Sequence, residues 1–150
     1  MLATLQRSGK KLTAQRVAIV KTLARDASHP TAQELFERLA PAMPSMSFAT
    51  VYNTLDALVR EGLCRARALA PGPTRFDPNA EAHDHAVCDR CGRVVDVMTK
   101  GAGEPPRETH VAGFSVTSVE QIYRGICAVC AGAEARRPRR PARSERPAPG

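Results

Sequence analysis

The sequence predicts an α+β protein of two unlike halves: a winged helix-turn-helix domain, then a small α/β unit holding a four-cysteine metal site. Three observations lead there. Three amphipathic segments with helix-capping residues precede Gly62, a short basic alternating stretch with a Pro-Gly-Pro turn follows them, and two Cys-x-x-Cys pairs bracket an apolar, strand-like region. A chain of 150 residues holds one modest core or two minimal ones.

The first helix is expected over Ala14 to Ala24, with Val17, Val20, Leu23 and Ala24 on one face. Thr31-Ala32-Gln33-Glu34 is a capping-box pattern opening a second helix with Leu35, Phe36 and Leu39 inward, ended by Pro41 and Pro44. Ser47 caps a third, carrying Val51, Leu55, Leu58 and Val59 and closed by Gly62. Leu63 to Leu69 then alternates apolar residues with Arg65 and Arg67, Pro71-Gly72-Pro73 turns the chain, and Thr74 to Phe76 runs back. Three helices and a basic two-stranded ribbon form the layout of a winged helix, whose last helix enters the DNA major groove.

Beyond the ribbon, Gly92 to Met98 and Phe114 to Val119 read as strands, with a third around Ile122 to Ile126. Thr99 to His110 is rich in Gly and Pro and leaves room for a short helix only. The Arg/Pro-rich C-terminus is too polar to pack and reads as a disordered tail. The division expected is a winged-helix domain over 1–76, a hinge bearing metal ligands over 77–85, an α/β dimerisation domain over 86–132, and a basic tail over 133–150.

Composition narrows the function. With 4% aromatic residues and no Trp, neither a carbohydrate site nor a stacking platform for single-stranded nucleic acid is expected. No apolar run approaches the ~20 residues that span a bilayer, and the N-terminus lacks a secretory pattern, so a cytoplasmic setting is the default. Residues 1–70 carry ten Lys and Arg against five acids, residues 71–132 six against eight, and residues 133–150 six against two. A basic helical half and a basic tail thus flank a mildly acidic middle, a distribution that favours a polyanion such as DNA but also serves general solubility.

Cys88-Asp89-Arg90-Cys91 and Cys127-Ala128-Val129-Cys130 share one spacing, and two such pairs can set four thiolates tetrahedrally around a structural zinc ion. The alternatives, disulfides or a redox dithiol, fit less well: a cytosolic setting disfavours the first and a twin motif the second. Cys64 stands apart and reads as a small buried apolar residue.

A second constellation is His83-Asp84-His85, with His29 before the second helix and Asp77 and Asp96 nearby. In an extended segment the two imidazoles of His-x-His point to one side and can share a metal. The same groups would also suit a catalytic metal that activates water, although no nucleophile or phosphate-binding loop accompanies them. A zinc-ribbon module binding RNA or protein explains the cysteines but neither His29 nor Asp77.

Several stretches, in order and spacing, resemble the ferric uptake regulator family: Leu12 to Arg16, His29-Pro30-Thr31-Ala32, Ser47 to Leu55, Arg75-Phe76-Asp77, and His83 to Gly92. The resemblance spans residues 12–131 and implies a homodimeric, metal-dependent repressor of a palindromic DNA operator, not an enzyme. It implies a regulatory metal site at His29, Asp77, His83, His85 and Asp96. Three His and two Asp suit Fe(II) or Mn(II). Asp at both carboxylate positions is most similar to the peroxide-sensing subtype, in which Fe(II) and hydrogen peroxide oxidise a ligand histidine, here His29 or His83. The alternative is an iron- or manganese-responsive repressor without peroxide chemistry. The resemblance further implies DNA contacts from Arg16, from Ser47, Ala49, Thr50, Tyr52 and Asn53 of the third helix, and from Arg65 and Arg67 of the wing.

Overall fold

A computed structural model describes residues 1–69, 72–99, 102, 111–117 and 119–135. Its elements run α1 (Leu2–Arg7), α2 (Ala14–Leu23), α3 (Ala32–Leu39), α4 (Phe48–Arg60), β1 (Arg65–Arg67), β2 (Arg75–Asp77), β3 (Asp84–Cys88), β4 (Val94–Val97), β5 (Ile122–Gly125) and α5 (Ala128–Ala135), with a 3-10 turn at Ala40–Ala42.

The three expected helices start at capping side chains. Thr13 accepts from the Arg16 N–H, Ser47 from that of Thr50, and Thr31 and Glu34 form a complete capping box. Each such cap is worth about 1 kcal/mol. Gly62, at φ 66°, provides the left-handed residue just past α4.

The helices close on one core of Ile19, Val20, Leu23, Leu35, Val51, Leu55 and Leu58, joined by Leu5 of α1 and Phe76 of β2. The face of α2 is rotated from the expected one. Ile19 is fully buried, Val17 only half, and Ala24 is exposed, because Ile19 and Leu23 are the i, i+4 pair that α4 covers. Leu55 is 0% exposed at the centre of this core, and Leu55→Ala is expected to cost about 2–5 kcal/mol. Urea denaturation checks this; a loss below about 1 kcal/mol would mean that α4 is not packed as described.

β1 and β2 pair antiparallel, Arg65 opposite Asp77, and form the wing. The second sheet has the order β4-β3-β5, with β3 antiparallel to β4 and parallel to β5. Two expectations are corrected here. Residues 114–117 of the anticipated strand are not in a sheet, and Phe114 is 77% exposed, since β5 occupies that edge of β3 instead. The sheet also starts at Asp84, inside the anticipated hinge of 77–85, because the His-x-His alternation is itself the head of a strand.

α5 reaches Ala135, past the anticipated start of the tail at 133. The short helix considered within 99–110 and the tail from 136 onward lie outside the described residues. The second half has a small core of its own, Leu69, Val87 and Val94. Among the described residues no helix is long and apolar enough to cross a membrane.

Candidate metal centres

Cys88 ends β3, Cys91 follows the turn into β4, and Cys127 and Cys130 flank the start of α5. The parallel pairing of β3 with β5, Cys88 opposite Gly125, brings the two pairs together. One sulfur from each of the four cysteines lies within 4.8 Å of every other. Cys91 Sγ and Cys127 Sγ stand 3.8 Å apart, close to the separation of about 3.8 Å that tetrahedral Zn–S bonds of about 2.3 Å require, and none of the cysteines is in a disulfide.

Hydrogen bonds prepare one of the four thiols as a thiolate. The Cys127 N–H donates to Cys88 Sγ at 3.3 Å. With further donors from Cys91 and Arg90, it brings the Cys88 thiol down to about 6. Cys130, crowded by the Cys91 and Cys127 sulfurs, is pushed up to about 12. Four thiolates need a cation among them. By contrast Cys64, 1% exposed in the helical core, is raised to about 12 by burial and by the Asp77 charge, the state of an inert structural thiol.

The second centre draws on every layer of the fold. Phe76 donates its N–H to Pro30 O at 2.9 Å and Thr31 bridges to Arg75, so the His29–Thr31 segment lies alongside β2 and sets His29 beside Asp77. His29 itself has φ 54°, a left-handed conformation held in part by Arg75, which donates to the His29 carbonyl at 2.9 Å. That backbone costs roughly 1–3 kcal/mol, the kind of strain that clusters at binding sites. His83 precedes β3, His85 lies within it, and Asp96 is the cross-strand partner of His85 on β4.

Four of the expected ligands, His29, His83, His85 and Asp96, offer atoms within 4.8 Å of one another, and Asp77 stands beside the three imidazoles. His29 Nε2 is 3.5 Å from Asp77 Oδ1 and 3.0 Å from Asp96 Oδ1. His83 Nε2 is 3.3 Å from Asp77 Oδ2, 3.6 Å from Asp96 Oδ1 and 3.1 Å from His85 Nε2. Adjacent ligands of one divalent ion, with bonds of about 2.1 Å, stand about 3 Å apart. His29 Nε2 and Asp77 Oδ2 are buried and make no hydrogen bond despite these short distances. Buried polar atoms left without a hydrogen bond beside other metal-binding groups are what a cation would satisfy.

Protonation agrees. Burial holds His29 below the ordinary imidazole range against the pull of Asp77 and Asp96, leaving a neutral ring to ligate. Burial pushes the Asp77 carboxyl up, but His85, the Asn79 N–H and the charges of His29 and His83 bring it below its ordinary value, so it stays ionised.

Beyond these five, the structure adds outer contacts that the sequence did not reveal. His83 Nδ1 is 2.9 Å from the Glu81 carbonyl, which orients its Nε2 inward. His85 Nδ1 is 2.9 Å from Glu120 Oε1, and Arg67 donates to Glu120 Oε2 at 2.8 Å. Asp84, pointing to the opposite face, accepts from Thr99 Oγ1 and the Gln121 N–H.

Comparison with known proteins gives this arrangement its context. A sequence profile described as the ferric uptake regulator family matches residues 7–123. The chain belongs to that family. A peroxide operon regulator of Bacillus subtilis is 36% identical over 130 residues, 86% of this chain and 90% of the relative. A peroxide-responsive repressor of Staphylococcus epidermidis is 35% identical, covering 86% and 87%. Among solved structures, the ferric uptake regulator of Pseudomonas aeruginosa with manganese is 27% identical, with a TM-score of 0.63, over 84% of this chain and 96% of that one.

The residues expected to face DNA in this family member fall on two surfaces. On α4, Ser47, Ala49, Tyr52 and Asn53 are exposed and Thr50 is half-buried; Tyr52, at 56%, is open to a partner and not part of the core. Phe48, not singled out in the sequence, is also exposed. Its ring lies 6.5 Å from Tyr52 and 6.0 Å from Phe36, extending an aromatic surface along the helix. Its signal was the i, i+4 spacing to Tyr52. Elsewhere Arg16 donates to Lys11 O and Arg65 to Ala80 O. Arg67 turns inward: its side chain is 16% exposed, and its Nε is 3.9 Å from Asp77 Oδ2.

Proposed function

We propose that this chain is a metal-dependent transcriptional repressor that binds a palindromic operator as a homodimer and senses hydrogen peroxide at the His29, Asp77, His83, His85 and Asp96 centre. The observation that carries the proposal is the clustering of three imidazoles and Asp96 within 4.8 Å of one another, with Asp77 3.3–3.6 Å from each of the imidazoles. His29, Asp77, His83, His85 and Asp96 would hold Fe(II), which would supply peroxide O–O cleavage chemistry, adding one oxygen to a ring carbon of His29 or His83 with release of water. The relatives named for peroxide response support this subtype over plain iron or manganese sensing.

The residues do the rest. His29 and Asp77 belong to the helical half and His83, His85 and Asp96 to the sheet, so ligation by all five fixes the angle between the halves. In a dimer that angle sets the distance between two α4 helices, the quantity a palindrome reads. Loss of one imidazole releases it. Tyr52 with Ala49, Thr50 and Asn53 meets the major groove, Ser47 caps the helix at that end, and Arg16 and Arg65 meet phosphates. The four cysteines hold zinc and fix the sheet, whose exposed apolar residues Val95, Tyr123 and Ile126 face the second copy. A DNA partner places the protein in the cytoplasm.

The test is anaerobic binding to an operator selected from random duplexes, with the Fe(II)- and Mn(II)-loaded protein, before and after low micromolar peroxide. Release of the iron form alone, with one oxygen added to a His29 or His83 peptide, is expected. If both forms stay bound and only chelation frees them, the chain senses the metal itself.

A further inference from the structure

Glu120 joins the regulatory centre to the wing. Its Oε1 stands 2.9 Å from His85 Nδ1, the ring nitrogen turned away from the ligand cluster. Its Oε2 accepts from Arg67 on β1 at 2.8 Å. Arg67 is mostly buried and its Nε lies 3.9 Å from Asp77 Oδ2. A second tie runs the same way: Arg124 of β5 donates to the carbonyl of Leu69, just beyond β1, at 3.1 Å. Thus β5 and the residue two before it hold the wing at two points, one of which is also the outer partner of a ligand imidazole.

We infer that Glu120 and Arg67 are positioning residues that transmit metal occupancy to the wing. His85 Nδ1 is buried and makes no aligned hydrogen bond although Glu120 Oε1 is 2.9 Å away; a cation on His85 Nε2 makes the Nδ1–H a stronger donor and draws it into a bond with Glu120. Glu120 in turn fixes Arg67 and with it β1. The carboxylate also selects the His85 tautomer with Nε2 free to ligate. Arg67 neutralises Glu120, so the outer charge is balanced and Asp77 and Asp96 remain the charges that face the ion. The two residues have separable roles: Glu120 serves a ligand imidazole and the link, Arg67 chiefly the link.

This inference rests on the metal-site reading, and the experiment separates the two. Mn(II) affinity of the zinc-loaded full chain is measured by competition with a fluorescent chelator, and amide hydrogen exchange over 65–69 is followed with and without Mn(II). Glu120→Ala is expected to weaken Mn(II) binding about tenfold or more, the usual cost of losing an outer partner, and to abolish Mn(II)-induced protection of 65–69. Arg67→Gln is expected to leave Mn(II) affinity within about threefold of the parent, since Arg67 meets the ligand set only through its long 3.9 Å contact with Asp77, yet to abolish the same protection. Unchanged zinc content in both variants shows that the sheet is intact. Parent-like affinity and protection in Glu120→Ala, or parent-like protection in Arg67→Gln, overturns the inference while Asp77→Asn still loses Mn(II). If the parent protein binds no Mn(II), or Asp77→Asn binds it as the parent does, the metal-site reading itself has failed.

Discussion

Cys127→Ser is expected to release the zinc and melt the second half of the chain while the helical domain stays folded. The magnitude follows from how little else holds that half. Among the described residues its buried apolar cluster is Val87 and Val94, joined by Leu69 from beyond β1, each worth about 1.5–3 kcal/mol on full burial, against about 1–2 kcal/mol of backbone entropy for every residue ordered. A structural zinc site contributes about 10–16 kcal/mol in small domains. Cys127 is central because its thiol stands 3.8 Å from Cys91 and its N–H also donates to Cys88 Sγ. Zinc analysis, gel filtration and amide exchange over β3 to β5 read the outcome. A variant without zinc that keeps slow exchange in β3 would show that the sheet needs no metal.

Asp77→Asn is expected to cut Mn(II) affinity by about 100-fold or more, the effect of breaking a buried charge pair worth about 3–5 kcal/mol. The substitution keeps shape and volume and removes only the charge. Asp77 is 0% exposed, and its two oxygens lie 3.3–3.6 Å from all three ligand imidazoles. It is also the carboxylate supplied by the helical half, so Mn(II)-dependent DNA binding should vanish with it while zinc content stays at the parent level. Titration with Mn(II), followed by operator binding, decides it. Retained metal dependence in DNA binding would mean that the two halves are not joined through this residue.

The helical half was legible because its signals are local. Thr31 with Glu34, and Ser47 with the apolar run after it, declare helix starts within four residues, and side chains three and four apart reveal the inner face. The ligand set was legible only through resemblance, since spacing alone singles out His83 and His85 and says nothing of His29, 54 residues upstream of His83. Glu120 carried no signal. Its role arises from the parallel pairing of β3 with β5, whose partners His85 and Ile122 are far apart in the chain. Phe114 to Val119 misled for the opposite reason: its alternation is strand-like, but every described residue of it except Val116 and Val119 is exposed. Periodicity reports what a segment could bury, not whether a neighbour is there to cover it.

Strand β3 carries His85 near one end and Cys88 at the other, about 10 Å apart at the ordinary rise of a strand. One short strut therefore aligns two centres of different chemistry. Alternate residues face opposite sides, so His83 and His85 share a face with Val87 while Cys88 takes the other. Sliding this segment by a single position against β4 would turn both imidazoles away from Asp96 and carry Cys88 out of reach of Cys127. The sulfur-bound ion thus acts as a reading-frame lock for the distant imidazoles. Point substitutions along β3 leave that frame intact. A one-residue insertion between His85 and Cys88 would keep every ligand in the chain yet leave only one of the two centres in register.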